Sequence, residues 1–211
     1  MRAILTNVGT RGDFQPLCAL AQEAECRGHC PKFAVPQFAI NIVNDFGFES
    51  CSLCGDISSL RDEVNRHWNR DSNTYNDPSK ARDLLAPFES YFPTAFEKLV
   101  DACRHADVLI SGPAQPLARM VHEYTGIPFV SVQTSHFGGT GSPGVDIAGD
   151  LLVNNFRRKL GLAEVRHAFI TGANSSQLSL YTVSPALSER TRIGPHIVIS
   201  PGSGLHAWNQ K

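Results

Sequence analysis

The 211-residue sequence has no excess charge of either sign, no long apolar run and no paired cysteine motif, and each absence removes a class of protein. Lysine and arginine number 19 against 20 aspartates and glutamates, a net charge of −1, so there is no basic footprint for nucleic acid or an anionic membrane. The densest basic cluster, Arg157, Arg158 and Lys159, reads as a solvated helix face. No window approaches the roughly 18 uninterrupted apolar residues of a membrane-spanning helix. The N-terminus, MRAILTNVGT, turns polar too soon for a secretory signal, and the expected location is the cytoplasm. The six cysteines are then expected as thiols. Cys18 and Cys26 fall in a predicted helix as small hydrophobes. Cys51 and Cys54 have CxxC spacing without a second CxxC or a histidine at ligand distance, which favours packing over zinc or redox use.

What is present is an ordinary globular balance, 42% apolar and 18% charged, and a length suited to one large domain. That domain is expected over residues 1–200, with the turn-rich ending PGSGLHAWNQK, residues 201–211, as a linker or tail. The first third alternates: RAILTNV as a strand, PLCALAQEAECRGH as a helix ended by Gly28, then Pro31 to Val35, PQFAINIVNDFG and FESCSL as strand, helix and strand. Residues 55–80 break the pattern as a long polar stretch. Helical material interrupted at Pro93 follows, then ADVLISG, PLARMVHEYTG and IPFVSVQTS as strand, helix and strand. HFGGTGSPGVD reads as a flexible loop, DLLVNNFRRKLGL as a helix, and LSLYTVSPAL and PHIVIS as late strands. Such alternation predicts an α/β fold, a Rossmann-like, doubly wound, mostly parallel sheet of about seven strands with helices on both faces. Ligands then bind beyond the carboxyl ends of the strands, where the loops at 9–16, 54–80 and 134–146 should gather.

The first of these loops reads GTRGDFQP. Gly9 and Gly12 allow a tight turn and close approach of a ligand to the backbone. Asp13 falls where the next helix begins, with Pro16 in its first turn. A carboxylate there serves as a helix cap, and the spacing alone does not separate that role from a chemical one. Neither the GxGxxG nor the GxxxxGK[ST] phosphate loop is met.

The strand, then GTRGDFQP, then a helix ending in RGH resembles the N-terminus of GT-B glycosyltransferases that modify natural products and sterols, the vancomycin-group enzymes among them. Their pattern, G-[ST]-x-G-D-x-x-P followed by a downstream G-H, is matched by Gly9, Thr10, Gly12, Asp13, Pro16 and the Gly28-His29 pair. ADVLISGPAQPLARMVHEYTGIPFVSV and SSQLSLYTVSPAL are similar to later segments of the same half, so the likeness covers roughly residues 1 to 195. It implies one half of a GT-B fold and sugar transfer with inversion from a nucleoside-diphosphate sugar to a hydroxyl of a hydrophobic natural product, lipid or sterol. No cofactor is implied, and the absence of a DxD motif fits a metal-independent reaction. By the same resemblance Asp13 is the base, Gly9, Thr10 and Gly12 form the donor-proximal loop, and Gln133, Thr134, Ser135 and His136 line the acceptor pocket with Trp68 and Tyr75. His136 is a second candidate base, and Trp68 and Tyr75 are equally readable as surface packing.

The sequence departs from the family in containing no HGG or HCG diphosphate loop. A C-terminal donor-binding domain is therefore expected to be missing from this chain, which alone is expected to be inactive and prone to self-association through its uncovered rim. Two other readings stay open: a non-catalytic small-molecule binding module derived from such a domain, and, less favoured, a flavodoxin-like nucleotide-binding protein.

Overall fold

Alternation along the β-rich runs sends successive side chains to opposite sides of one sheet. In β1 (Arg2–Thr6) Ile4 enters one core, while Ala3 and Leu5 enter the other. In β2 (Cys30–Val35) Ala34 is opposed in the same way to Phe33 and Val35. The computed structural model describes residues 1–59, 62, 76–134 and 143–182, together with the backbone of 196–198 and 206–207. β3 (Ser50–Ser52), β4 (Val108–Ser111), β5 (Phe129–Gln133), β6 (Leu178–Tyr181) and β7 (His196–Val198) complete the parallel part of the sheet, and β8 (His206–Ala207) adds an antiparallel edge. The order is β3-β2-β1-β4-β5-β6-β7-β8. β8 lies in the stretch read as a tail, which is why the sheet has more strands than the sequence suggested.

Helices cover both faces. α1 (Arg11–Cys26) buries Phe14, Leu17, Cys18 and Ala21, the i, i+3, i+4, i+7 stripe of an amphipathic helix. It ends in a Schellman motif: Gly28, at φ +78°, donates to the Glu25 carbonyl at 2.9 Å, and His29 donates to that of Ala24 at 2.9 Å. α2 (Ile40–Asn44) packs on the same side, with Val43 buried in that core. The other core belongs to α3 (Pro78–Leu85), α4 (Phe92–Cys103), α5 (Pro116–Thr125) and α6 (Pro143–Lys159).

Several boundaries differ from the sequence reading for local reasons. Pro93 stands in the first turn of α4, where a missing N–H costs nothing, and the interruption is the 3₁₀ segment Ala86–Ser90. α6 begins at Pro143, so the end of the stretch read as a flexible loop is helical. Pro143 opens the helix, and Gly144, Val145 and Ala148 are buried beneath it. Arg157 is not on a solvated face. It is 2% exposed, ion-paired with Glu123 and donates through Nε to the Ala163 carbonyl at 2.6 Å. Burial pushes the Glu123 carboxyl up, but hydrogen bonds from Arg119 and Arg157 outweigh it and hold the group below the usual range. Cys18 is buried as expected, and desolvation lifts its thiol to about 11; Cys26, by contrast, is exposed.

Candidate active site

The strand order reverses at β1, whose neighbours are β2 on one side and β4 on the other. The crevice of an open α/β sheet lies at such a switch point, beyond the carboxyl ends of these strands. Asn7 and Gly112, each directly after its strand, meet there. A Cβ on Gly112 would stand 2.7 Å from Asn7 Oδ1, so only glycine lets the two chain exits approach. Fully buried Asn7 uses Oδ1 to accept from the amides of Val8 at 2.9 Å and Gly9 at 3.2 Å, while its Nδ2 has no partner among the described residues. The glycine loop is thus folded by a side chain that comes just before it.

Asp13 is the third residue of α1, one turn deeper than a cap. It reaches back along the chain: Oδ2 accepts from the Thr10 amide at 2.8 Å and from Thr10 Oγ1 at 3.0 Å. These bonds satisfy an amide the helix leaves free and place a carboxylate at its positive end. Oδ1 faces the other way and accepts from Thr134 Oγ1 at 3.1 Å, across 121 residues of chain. A Cβ on Gly9 would sit 2.4 Å from Oδ2, so this glycine exists to admit the carboxylate, not to supply an unusual turn. Gly12 is exposed, and a Cβ there would meet only Thr10 Oγ1 at 3.8 Å. Pro16 lies in the second turn of α1 and has no N–H, which leaves the Gly12 carbonyl without its helical donor.

Of the residues read as site residues, Gly9, Thr10, Gly12, Asp13 and Thr134 come together. Gln133 turns aside, with Nε2 donating to Asn174 Oδ1 at 2.8 Å. Trp68, Tyr75, Ser135 and His136 lie outside the described residues. Among the described residues there is no group of three or more His, Cys, Asp or Glu able to hold a metal ion, and no helix long and apolar enough to cross a membrane.

Beside the glycine loop the structure has an apolar cavity of about 40 Å³. It is lined by Val8, Pro36 and Leu53, from the exits of β1, β2 and β3, by Tyr91, just before α4, and Phe92, its first residue, and by Phe169, from much later in the chain. Val8 is the hinge of the arrangement, since it borders the cavity one residue before the loop that holds Asp13. Ala114, at φ +53°, is also part of the wall. This strained backbone follows β4 and precedes Gln115, which is 2% exposed and donates from Nε2 to Thr6 Oγ1 at 3.2 Å. Sequence reasoning missed these wall residues because their apolar character is that of any core. The signal available was GPAQP at a strand exit, which marks a bend without saying what it borders. Cys54 also borders the cavity, and burial raises its thiol pKa.

A Rossmann-like half-molecule with a carboxylate and an apolar cleft at its switch point is the class this geometry defines, and comparison with known proteins gives it a name. The fold is that of one half of the GT-B glycosyltransferases, and the chain's homologues are glycosyltransferases. No family model matches the chain. An uncharacterized glycosyltransferase of Mycobacterium tuberculosis is 27% identical over 134 residues, 63% of this chain and 32% of that protein. The sterol 3-beta-glucosyltransferase of Neurospora crassa is 26% identical over 129 residues, 61% of this chain and 8% of that one. Among solved structures, the glycosyltransferase VinC in complex with DTDP superposes with a TM-score of 0.64 at 15% identity, covering 94% of this chain and 52% of that one. SsfS6 from Streptomyces sp. SF2575 gives 0.61 at 16% identity, covering 90% and 52%. The chain thus spans about half the length of its structural neighbours and a third or less of these sequence relatives.

Proposed function

We propose that this chain is the acceptor-binding half of an inverting, metal-independent glycosyltransferase, with Asp13 as the base. The observation that carries the reading is the Asp13 carboxylate at the switch point, at the end of a loop whose Val8 borders the apolar cavity. Thr10 occupies Oδ2 twice, whereas Oδ1 has one donor among the described residues, Thr134, and keeps a lone pair for an incoming hydroxyl. The acceptor's apolar body rests against Val8 and Tyr91, and its hydroxyl reaches Oδ1. As its oxygen attacks the anomeric carbon, the bond from that carbon to the diphosphate oxygen breaks. The proton passes to Asp13, and the nucleoside diphosphate departs with the bonding pair. An anionic carboxylate is a modest base, suited to a hydroxyl whose proton leaves late. Gly9, Thr10 and Gly12 lie on the donor side of this carboxylate, and the nucleotide itself belongs to a second domain.

The test joins the chain to the donor domain of a related glycosyltransferase and offers sugar nucleotides with hydrophobic alcohols. Transfer with Asp13 and none with Asp13→Asn is expected, and the 211-residue chain alone should turn over no sugar nucleotide. Alcohol binding without transfer, beside a competent donor domain, would establish a binding module instead. The uncovered rim should also make the isolated chain self-associate, and a strict monomer in sedimentation at high concentration would count against that.

A further inference from the structure

Phe169 is the one described residue after Leu117 that lines the apolar cavity, and it arrives there by an unusual route. Residues 163–169 have no regular structure, yet they are fastened along α6, antiparallel to it, by side chains spaced at the helical repeat. Arg157 Nε donates to the Ala163 carbonyl at 2.6 Å; Asn154 grips Val165 twice, donating to its carbonyl at 2.9 Å and accepting from its amide at 3.0 Å. Asp150 accepts from the amides of His167 at 3.1 Å and Ala168 at 2.6 Å. Asp146 pairs with the His167 ring at 3.1 Å, and His167 itself takes the left-handed backbone, φ +50°. The last fastening is an absence, since a Cβ on Gly149 would lie 2.7 Å from Phe169 Cβ. The strap therefore delivers one aromatic ring to the cavity wall at a fixed height.

We propose that Phe169, held by this strap, is a specificity-determining residue that sets how long an apolar group the cavity admits. The inference rests on the acceptor-half reading. Most of the other wall residues, Leu53, Phe92 and Leu117 among them, are buried in the core, whereas Phe169 is half-buried on the strap and can change size without emptying that core. Gly149 and Asp150 are the positioning residues behind it.

The test measures binding of n-alcohols from butanol to dodecanol to the full 211-residue chain, followed by the methyl NMR signals of Leu53, Ile57 and Leu117, which border the cavity. For the parent, affinity should rise about fourfold with each methylene that finds room and then stop at a cut-off length. Phe169→Ala should move the cut-off to longer alcohols and Phe169→Trp to shorter ones. Gly149→Ala, which drives a methyl group against Phe169 Cβ, should move it while leaving the wall residue itself unchanged. Binding with the same cut-off in the Ala and Trp variants overturns the inference and leaves the acceptor reading standing. Failure of the parent to bind any alcohol overturns that reading and the inference with it.

Discussion

The glycine loop at residues 7–13 and the strap at 163–169 solve the same problem with opposite vocabularies. Both fasten irregular chain with side chains that bond to backbone, and both need a glycine where a Cβ would collide: Gly9 against Asp13, Gly149 against Phe169. The loop is held mostly from within, by Asn7 and by Thr10 to Asp13, and it presents a charge. The strap is held mostly from a neighbouring helix, and it presents a ring. A segment that anchors itself concentrates unusual residue types in a short window and can be read; one anchored from outside borrows residues that look like an ordinary polar helix face.

The largest expected effect tests whether the loop carries chemistry and the strap does not. Joined to a donor domain, Asp13→Asn should lose transfer by about 10² to 10⁴-fold, while its thermal unfolding stays near that of the parent. Arg157→Ala is the counterpart on the strap. Removing one partner of a buried ion pair costs about 3–5 kcal/mol, a fall in Tm of about 6–20 °C for a domain of this size. Calorimetry that found Arg157→Ala unchanged would show that the buried guanidinium is not what pins the strap.

Next come the two glycines. Gly9→Ala and Gly149→Ala each force a methyl group into an occupied position, at a cost of about 1–3 kcal/mol, but only Gly9→Ala should also depress transfer, because the atom displaced is Asp13 Oδ2. Thr134 sharpens the comparison further. Thr134→Val should lower kcat about tenfold, with KM little changed, by losing one hydrogen bond to a charged group, and Thr134→Ser should restore it. The smallest effect is in pH. The Glu123 carboxyl is held below its ordinary range, so its contribution to stability is complete above about pH 4.3 and is lost as pH falls below that. Acid unfolding should therefore be shallower in Glu123→Gln.

The alternation of strands and helices was legible because periods of 2 and 3.6 are local properties. Asp13 with Gly9 and Thr10 was legible for the same reason, since the bonds that hold them span three residues. Thr134 was legible as a rim residue, but its bond to Asp13 crosses the sheet and no local pattern encodes it. Arg157 and Asn154 were hidden more deeply. Both sit on α6 where a charge or amide normally meets water, and only the returning chain, which supplies carbonyls and amides in place of solvent, makes burial favourable. Phe169 is an apolar residue in a stretch without period, so its place on the cavity wall depends on anchors that no local pattern marks, with Arg157 among them read as solvated.

The central position of β1 has a consequence for how the molecule is made. Ala3 pairs with Val108, and the amide of Arg2 is taken by Asp107, so the partner on that edge is 105 residues downstream. Contacts of such separation must close a long loop before they return any free energy, which places this domain among the slower folders. A ribosome adding about 5–20 residues per second needs about 5–20 s to deliver β4 after β1 has emerged. Through that interval the first strand has β2 and α1 for company and one open apolar edge. The step that creates the switch point is thus also the step at which the nascent chain is most exposed to pairing with the wrong strand.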